Sequence, residues 1–498
     1  MRKLAINIVW IKRDLRTLDH ESFHAAESKN IPYLPVYIFD NDLIDYPDTS
    51  DRHLGFIYNS LIDINKKLSS FNKEVEILYG PSLDIFKYLI SQYKIENIFS
   101  YQESGIKQSW QRDIKVRSFC NENSINWIEF QRDGIIRGIK DRKNWNKNWH
   151  IQMHSQIIEN SFKKQKKLKF LNKFPLPKKL INRINSNLNS FQPAGESMAW
   201  KYLKSFCNKR ISGYAYNISK PEKSRISCSR LSPYISWGNL NIRLVYHHLI
   251  KLKKENKNLR SINAVISRLH WHCHFIQKFE VDCTYETDFI NKGFNSLKRN
   301  TNLKYIKAWE EGKTGYPLID ASMRAVKNTG WINFRMRALL MSFHSYNLFN
   351  HWKPAADYLA TLFLDYEPGI HFSQCQMQSG TTGINTLRVY SPIKQSMDQD
   401  PSGEFIKKWV PELKDVSIND IHTPWLSPKK GNYINPIVDE KGSRKRALFE
   451  IGQITKHNDF KKTSKKIYDK HGSRNNTQDQ RRRQKEMKLS KSEQLTLF

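Results

Sequence analysis

The sequence predicts two domains of different fold class: a doubly wound parallel α/β domain at residues 1–130, followed by an all-α domain at residues 196–440. Three observations lead to this prediction. Short apolar runs alternate with helix-length segments only in the first 130 residues. From about residue 196 the apolar residues follow helical spacing. The 498-residue chain also exceeds the roughly 250 to 300 residues that a single core usually holds.

Five apolar runs predict the strands of the α/β domain, namely INIVWI, YLPVYIF, VEILYG, IENIFSY and INWIEF. Segments of helical length, such as HLGFIYNSLIDINKKL, separate them. Strands that alternate with helices predict βαβ units and a parallel sheet. The turn after the first run reads KRDLRTLDH and lacks the pattern G-x-G-x-x-G, which argues against a nicotinamide dehydrogenase.

Two further segments are polar and basic. Residues 131–195 predict a connector that includes SFKKQKKLKFLNKFPLPKKLINR, with nine basic residues and no acidic one. Such a block is either a solvated linker or a strip that contacts phosphates. Residues 441–498 carry 17 Lys and Arg against six Asp and Glu, which predicts a basic, flexible tail.

The whole chain is strongly basic, with 82 Lys and Arg against 48 Asp and Glu and a net charge of +34. A polyanionic partner such as nucleic acid is the first interpretation. A/T-rich coding is a second explanation, because the chain is also rich in Asn and Ile. The six cysteines form no CxxC pair, and no run approaches the roughly 18 apolar residues of a membrane span. We therefore expect a soluble, cytoplasmic monomer without a metal site.

Two features of the second domain indicate chemistry. In SRISCSRLSPYISWGNL, hydroxyl groups and Arg230 precede a predicted helix, where a guanidinium and backbone N–H groups can bind a phosphate. A plain helix N-cap explains the same residues without a ligand. Arg337 lies in a half-buried helical pattern and needs a carboxylate partner, for which we assign Asp365 in LFLDYEPG. A purely structural ion pair is the alternative.

The order and spacing of four motifs resemble the DNA photolyase and cryptochrome family of flavoproteins over about residues 1–425. The motifs are WIKRDLR, SRLSPYISWGNL, AWEEGKTGYPLIDASMRAVKNTGWINFRMR and SPIKQSMDQDPSGEFIKKWVPEL. The resemblance implies FAD in a folded conformation in the helical domain and a second, antenna chromophore in the α/β domain. It also implies blue-light-driven electron transfer to a pyrimidine lesion in DNA.

The resemblance also implies which residues contact FAD. Tyr216 and the segment CSRLS match the phosphate-binding residues, whereas the pair of Arg337 and Asp365 matches the ion pair against the isoalloxazine ring. A guanidinium there favours an anionic reduced flavin. The predicted cofactor residues are Tyr216, Cys228, Ser229, Arg230, Leu231, Ser232, Arg337, Asp365, Tyr366 and Glu367.

Members of this family pass electrons to the flavin along tryptophans. Trp309 and Trp352 match the outer and middle members of that chain, but Cys375 occupies the innermost position. Either another aromatic residue, such as Phe372 or Tyr366, relays the electron, or photoreduction is impaired. A stacked core residue is the alternative for each tryptophan.

The lesion pocket departs from the family pattern. Trp271 retains one aromatic wall, whereas Arg268, Phe334, Ala338 and Met377 replace a carboxylate, an asparagine, a methionine and the second wall. A flipped base would lie in this pocket. The predicted DNA contacts are Arg268, Trp271, Arg335 and Met377.

A proton donor could come from the segment RLHWHCHF, which contains His270, His272 and His274. Histidine titrates near neutral pH, and we select His272 beside Trp271 as the catalytic candidate. Hydrogen-bonded core histidines are the alternative. The cysteine spacing supports neither zinc nor an iron–sulfur cluster.

The chain ends in QLTLF, Gln494 to Phe498. This segment resembles the short motif by which bacterial DNA-metabolism proteins bind the replication sliding clamp, and a chance amphipathic end is the alternative. For the whole protein we rank a deoxyribodipyrimidine photolyase-type lyase first. A cryptochrome-like photoreceptor without repair activity comes second, and a nucleic-acid-binding protein with FAD as a structural ligand comes third.

Overall fold

A computed structural model describes residues 3–142, 144–186, 191–299 and 301–471. It contains a five-stranded parallel sheet followed by many helices, so the predicted fold class is confirmed. All five predicted runs form strands, in the order β3-β2-β1-β4-β5 across the sheet. Their bounds are β1 Ala5–Ile11, β2 Tyr33–Phe39, β3 Glu76–Tyr79, β4 Lys94–Tyr101 and β5 Asn126–Phe130.

Helices cover both faces of the sheet. Side chains alternate along β1, so that Ile8 and Trp10 enter the core on one face while Val9 and Ile11 enter the core on the other. Strands buried on both faces read as continuous apolar runs, which is why the sequence signalled them clearly. The helices of this domain are α1 Glu21–Glu27, α2 Asn41–Ile44, α3 Asp51–Leu68, α4 Ser82–Gln92 and α5 Lys107–Glu122.

The order of the strands reverses direction between β1 and β4. The chain moves outward from β1 to β2 and β3, then returns to the other side of β1 for β4 and β5. At such a switch point the segments that follow the two central strands leave in opposite directions and open a crevice at the carboxyl edge of the sheet. That edge faces the helical domain.

The connector runs along the α/β domain. It contains two helices, α6 Trp145–His154 and α7 Lys178–Asn185. Between them, the basic block lies beside β3, where the backbone N–H of Tyr79 donates to the carbonyl of Phe174 at 2.8 Å. The ammonium of Lys173 lies 5.4 Å from the centre of the Tyr88 ring.

The second domain is helical throughout its described part. Its helices are α8 Glu196–Ser205, α9 Tyr214–Asn217, α10 Pro221–Ser227, α11 Ser232–Ser236, α12 Ile242–Lys253, α13 Leu259–Val281, α14 Leu303–Glu311, α15 Pro317–Thr329, α16 Phe334–Ser342, α17 Trp352–Leu362, α18 Pro368–Gln378, α19 Pro392–Gln399 and α20 Glu404–Trp409. None of the helices in the described ranges is long and apolar enough to cross a membrane.

The start of the predicted flexible tail is helical instead. Helices α21 Glu440–Thr455 and α22 Asn458–His471 pack on the helical domain. Ala447 and Ile451, one turn apart, are buried with Phe460 against Phe294 and Tyr346. The prediction of a flexible tail is therefore wrong for residues 441–471, because a few apolar anchors suffice to bury one face of a charged helix. Residues 472–498, including QLTLF, lie outside the described residues.

The two domains are in close contact where α11 ends. Gly238 has φ of +76°, and a Cβ atom there would lie 2.2 Å from the carbonyl oxygen of Arg13, in the turn after β1. Leu15 donates its backbone N–H to the carbonyl of Trp237 at 3.2 Å. Only glycine allows this approach of the two backbones. The charged turn KRDLR thus forms part of the domain interface.

Candidate functional site

Arg337 and Asp365 form the predicted ion pair. Arg337, on α16, donates from both terminal nitrogens to the two carboxylate oxygens of Asp365, each at 2.9 Å. Its Nε donates to the carbonyl of Ile332 at 3.0 Å, which fixes the plane of the guanidinium. Asp365 lies between α17 and α18, and its side chain is only 4% exposed, whereas that of Arg337 is 22% exposed. The pair is bidentate, and the guanidinium also lies over the Phe363 ring at 4.2 Å.

The carboxylate of this pair is charged. Burial of Asp365 acts to raise its pKa, but the charge and hydrogen bonds of Arg337, together with Ser232, hold the pKa below its ordinary value. A buried carboxylate with this balance is anionic at neutral pH. The pair therefore presents a fixed, oriented cation and its counterion in the interior of the helical domain.

The CSRLS segment lies beside this pair. Ser232 accepts a hydrogen bond from the Trp331 indole at 3.3 Å and also interacts with Asp365. Arg230 stacks over the Trp331 ring at 4.1 Å and adopts a positive φ of 59°. Its buried Nε has no hydrogen-bond partner within the described part of the chain. The structure thus places Arg230 and Ser232 close to Arg337 and Asp365.

Arginines around this segment lack full compensation by carboxylates. Burial, followed by the charge of Arg225, lowers the pKa of Arg230 to about 10. Arg225 donates to the carbonyl of Trp331, and Arg210 donates to the carbonyls of Cys228 and Ser229. Concentrated positive charge with an unpaired donor suits a polyanionic group such as a diphosphate. Because α11 has only five residues, we expect these guanidinium groups to attract a diphosphate more strongly than the dipole of the helix does.

Three of the predicted cofactor residues point elsewhere. Tyr216 is 65% exposed on α9, with Arg260 stacked over its ring at 4.9 Å. Glu367 accepts a hydrogen bond from Arg132 of the connector at 2.9 Å. The hydroxyl of Tyr366 donates to Asp48 of the α/β domain. The side chains of Tyr366 and Glu367 thus face the α/β domain.

Buried charges link the two domains around Glu367. Its carboxylate is 1% exposed and lies between Arg132 and the Nη1 of Arg13, which is 3.5 Å away. The Arg13 guanidinium also stacks on Trp237 at 4.4 Å and donates to the carbonyl of Tyr366. Sequence reasoning missed this network. The charged turn KRDLR, directly after a buried strand, was the available signal for it.

Trp309 and Trp352 are both fully buried. Trp309 contacts the rings of His344 at 4.8 Å and Tyr358 at 6.0 Å, whereas Trp352 contacts Phe289 at 6.4 Å. Trp309, which matches the outer member of the tryptophan chain, has no part of its side chain in contact with solvent. Its ring neighbour Tyr358 is half-buried.

Cys375 replaces the innermost aromatic ring. Its thiol is buried, which raises its pKa, and the sulfur lies 3.6 Å from Nε2 of His371. Phe372, which was one predicted relay, contacts the rings of His371 at 5.3 Å and Tyr366 at 6.4 Å. Aromatic rings are therefore present near Cys375, although none of these three rings belongs to a tryptophan.

The predicted lesion pocket has exposed aromatic side chains. Trp271 is 40% exposed and stacks on Phe275 at 5.6 Å, and Phe334 is 53% exposed. Arg268 is exposed, Met377 is half-buried, and Arg335 stacks over Tyr390 at 5.5 Å. Exposed rings of this size are available for stacking on a base.

The three histidines of RLHWHCHF differ in their partners. His270 Nε2 bonds to Asn146 at 2.8 Å, and His274 Nδ1 bonds to Arg142 at 2.5 Å. His272 alone of the three has a buried ring nitrogen without a partner in the described ranges. Burial lowers its pKa, partly offset by Glu367 and Asp133, so its ring is neutral at pH 7. His272 can therefore donate a hydrogen bond as neutral imidazole.

A cleft opens at the switch point of the sheet. Its cavity volume is about 100 Å³. Its walls come from the ends of β1 and β2, the segment after β4, and helical-domain residues Trp237, Tyr366 and Pro368. In the described residues, no group of three or more His, Cys, Asp or Glu side chains could hold a metal ion.

This architecture and site define a flavoprotein class that couples an α/β domain to a helical cofactor domain. A family model described as the FAD binding domain of DNA photolyase matches residues 265–453, and one described as DNA photolyase matches residues 7–143. The chain belongs to the DNA photolyase and cryptochrome family, and it is a FAD-dependent flavoprotein.

Individual proteins are similar to this chain in sequence or in fold. A deoxyribodipyrimidine photo-lyase of Buchnera aphidicola is 27% identical, over 92% of this chain and 99% of the relative. A cryptochrome of Synechocystis matches with a TM-score of 0.80 and 20% identity, over 90% of this chain and 100% of that one. An archaeal photolyase from Sulfolobus tokodaii, solved with two FAD molecules, matches with a TM-score of 0.75 and 24% identity, over the same shares.

Proposed function

We propose that this protein is a blue-light-driven DNA photolyase that transfers an electron from reduced FAD to a pyrimidine lesion in DNA. The observation that carries the proposal is the bidentate pair of Arg337 and Asp365, which Ser232 joins to the Arg230 segment inside the FAD-binding domain. The net charge of +34 favours binding to DNA.

Each part of the site has a separate task in this proposal. Bound FAD supplies absorption of blue light and one-electron transfer. Arg230 binds the diphosphate, while Arg337 places a cation against the ring system and Asp365 keeps that cation oriented. Trp271 stacks on the flipped base, and His272 donates a hydrogen bond to it.

The test uses an oligonucleotide irradiated with ultraviolet light. We expect the FAD-loaded protein to restore thymine absorbance under blue light and not in darkness. Trp271→Ala should weaken lesion binding by about 5- to 150-fold, because stacking on one base contributes about 1–3 kcal/mol. Phe449→Ala is the matched control, since Phe449 is an exposed aromatic residue on α21.

The outcomes separate the functions. Photoreduction of the flavin without turnover of the lesion would replace the repair proposal with a cryptochrome-like photoreceptor. An equal loss of binding in the two variants would contradict the role of Trp271.

The cleft at the switch point is the candidate site for a second chromophore. The cleft is placed where open α/β sheets bind ligands, and the archaeal photolyase was solved with two FAD molecules. We propose that an antenna pigment binds there. Pigment released from the protein should exceed one equivalent per chain, and a single equivalent would contradict the proposal.

The segment QLTLF is proposed to bind a bacterial sliding clamp, and the protein is proposed to act as a monomer. A peptide of residues 485–498 should bind the clamp, and replacing Leu497 and Phe498 with alanine should abolish binding, because these side chains supply the apolar anchors. Absence of binding by the unmodified peptide would contradict the clamp proposal.

A further inference from the structure

Tyr366 and Asp48 form a buried pair at the junction of the two domains. The phenol hydroxyl of Tyr366 donates to Oδ2 of Asp48 at 2.5 Å. Tyr366 is 3% exposed and Asp48 is 2% exposed. Tyr366 directly follows Asp365, the carboxylate of the flavin-binding pair, and its ring also lines the cleft at the switch point. The pair thus lies at the cleft, and its tyrosine is the sequence neighbour of Asp365 in the proposed flavin site.

Neighbouring rings surround Tyr366 without competing for its proton. The ring of His53 stacks on it at 5.9 Å, and the ring of His371 meets it edge-on at 5.3 Å. Nε2 of His53 bonds to the carbonyl of Phe363, and Nε2 of His371 bonds to the carbonyl of Ala356. Burial lowers the pKa of His53 to about 3 and that of His371 to about 4, although the hydrogen bond of each ring to a backbone carbonyl acts in the opposite direction. Asp48 is therefore the base within hydrogen-bond reach of the phenol.

A tyrosine releases an electron readily only when its proton has an acceptor. Burial raises the pKa of Asp48 to about 6, with the hydrogen bond of Tyr366 and the charge of Arg13 acting in the opposite direction. Burial and the adjacent carboxylate raise the pKa of Tyr366 well above its ordinary value. The phenol therefore stays protonated and Asp48 is largely ionised at pH 7.

We propose that Tyr366 and Asp48 are a proton-coupled electron donor for the light-excited, oxidised flavin. Tyr366 loses one electron to the flavin, and its O–H bond breaks as the proton forms a new O–H bond on Asp48. The products are a neutral tyrosyl radical, a protonated Asp48 and a flavin that has gained one electron. This inference rests on the proposed placement of FAD against Arg337 and Asp365.

The proposal explains how photoreduction can proceed in a chain with Cys375 at the innermost relay position. Loss of one electron takes the pair of Tyr366 and Asp48 from a net charge of −1 to neutral, because the proton stays within the pair on Asp48 and no cation radical forms. The electron arrives beside the Arg337 guanidinium, which stabilises negative charge. A purely structural pair would lend stability without forming a radical.

A second tyrosine–aspartate pair supplies a matched control. Tyr433 donates to Asp320 at 2.6 Å, both residues are buried, and burial raises the pKa of Asp320 to about 6. Asp320 also accepts hydrogen bonds from the backbone N–H groups of Thr314 and Gly315, whereas Asp48 accepts one from the hydroxyl of Thr49 at 3.2 Å. Both pairs join a buried phenol to a buried carboxylate, but only Tyr366 is next in sequence to Asp365 of the proposed flavin site.

The experiment records electron paramagnetic resonance of the full-length, FAD-loaded protein after blue light at low temperature. Ring-deuterated tyrosine identifies a tyrosyl signal in the wild type. We expect Tyr366→Phe to abolish the signal, Asp48→Asn to reduce it at least tenfold, and Tyr433→Phe to leave it unchanged. Heavy water should slow flavin photoreduction in the wild type and in Tyr433→Phe only.

The pH dependence of the radical provides a second measurement that needs no variant. The groups that face Asp48 are Tyr366, Thr49, Arg13, Glu286 and Tyr46. Asp48 accepts the proton only when ionised, so the yield should fall as the pH drops below about 6. A yield that is constant through this range contradicts the proposal.

The outcomes are distinguishable from those of the proposed function. A wild-type protein that binds no FAD overturns both. Flavin photoreduction without a tyrosyl radical, or with a radical that persists in Tyr366→Phe, overturns this inference and leaves the photolyase proposal intact.

Discussion

Replacement of Arg337 by methionine should reduce FAD affinity by at least about 100-fold. The variant loses both hydrogen bonds to Asp365 and the cation that we propose to face FAD. Hydrogen bonds to charged groups contribute about 1.5–3 kcal/mol each. Without the guanidinium, burial raises the pKa of Asp365, and the carboxyl protonates instead of holding an ion pair. Equilibrium titration with FAD, followed by flavin fluorescence, measures the loss.

Arg335→Met is the control for this prediction. Arg335 lies on the same helix, two residues earlier, and stacks on Tyr390. Its replacement removes an equal charge and should leave FAD affinity unchanged. Asp365→Asn should reproduce most of the loss, because the amide cannot balance the guanidinium. Undiminished FAD binding by Arg337→Met would overturn the assignment of the site.

Replacement of Glu367 by glutamine should destabilise the protein by about 3 kcal/mol. Glu367 is the carboxylate between Arg132 and Arg13, and removing one partner of a buried ion network leaves uncompensated charge at a cost of about 3–5 kcal/mol. The amide retains part of the hydrogen bonding, which places the expected effect at the lower end. Chemical denaturation of the apoprotein measures the change.

Stability and FAD affinity of the variant together distinguish a role of Glu367 in linking the domains from a role in binding FAD. The FAD affinity of the folded variant should change much less than its stability. Glu311→Gln removes an exposed carboxylate that pairs with Lys313 at 3.0 Å, and it should leave stability unchanged, since surface pairs contribute little. A large loss of FAD affinity with unaltered stability would instead show that Glu367 binds the cofactor.

The sequence predicted those features that depend on local pattern or on a strict physical requirement. The strands were predictable because a sheet covered on both faces needs continuous apolar runs, as in β1. The pairing of Arg337 with Asp365 was predictable because a buried guanidinium requires a carboxylate. Both predictions follow from the residues themselves and do not depend on how the rest of the chain packs around them.

The sequence did not predict in which direction a loop side chain points or on which surface a helix packs. Asp365, Tyr366 and Glu367 are consecutive, yet Asp365 turns to α16 while the other two face the α/β domain. Composition likewise predicted flexibility for α21, where only Ala447 and Ile451 anchor a charged helix. A pattern of residue types does not contain the orientation of a loop or the surface that receives a helix.

We propose that the helical domain binds FAD through Arg337 and Asp365. The most direct measurement is the flavin content of the purified full-length protein, together with its absorption spectrum after reconstitution with FAD. We expect at least one tightly bound flavin per chain, which blue light reduces. A colourless protein that does not take up added FAD would contradict the account.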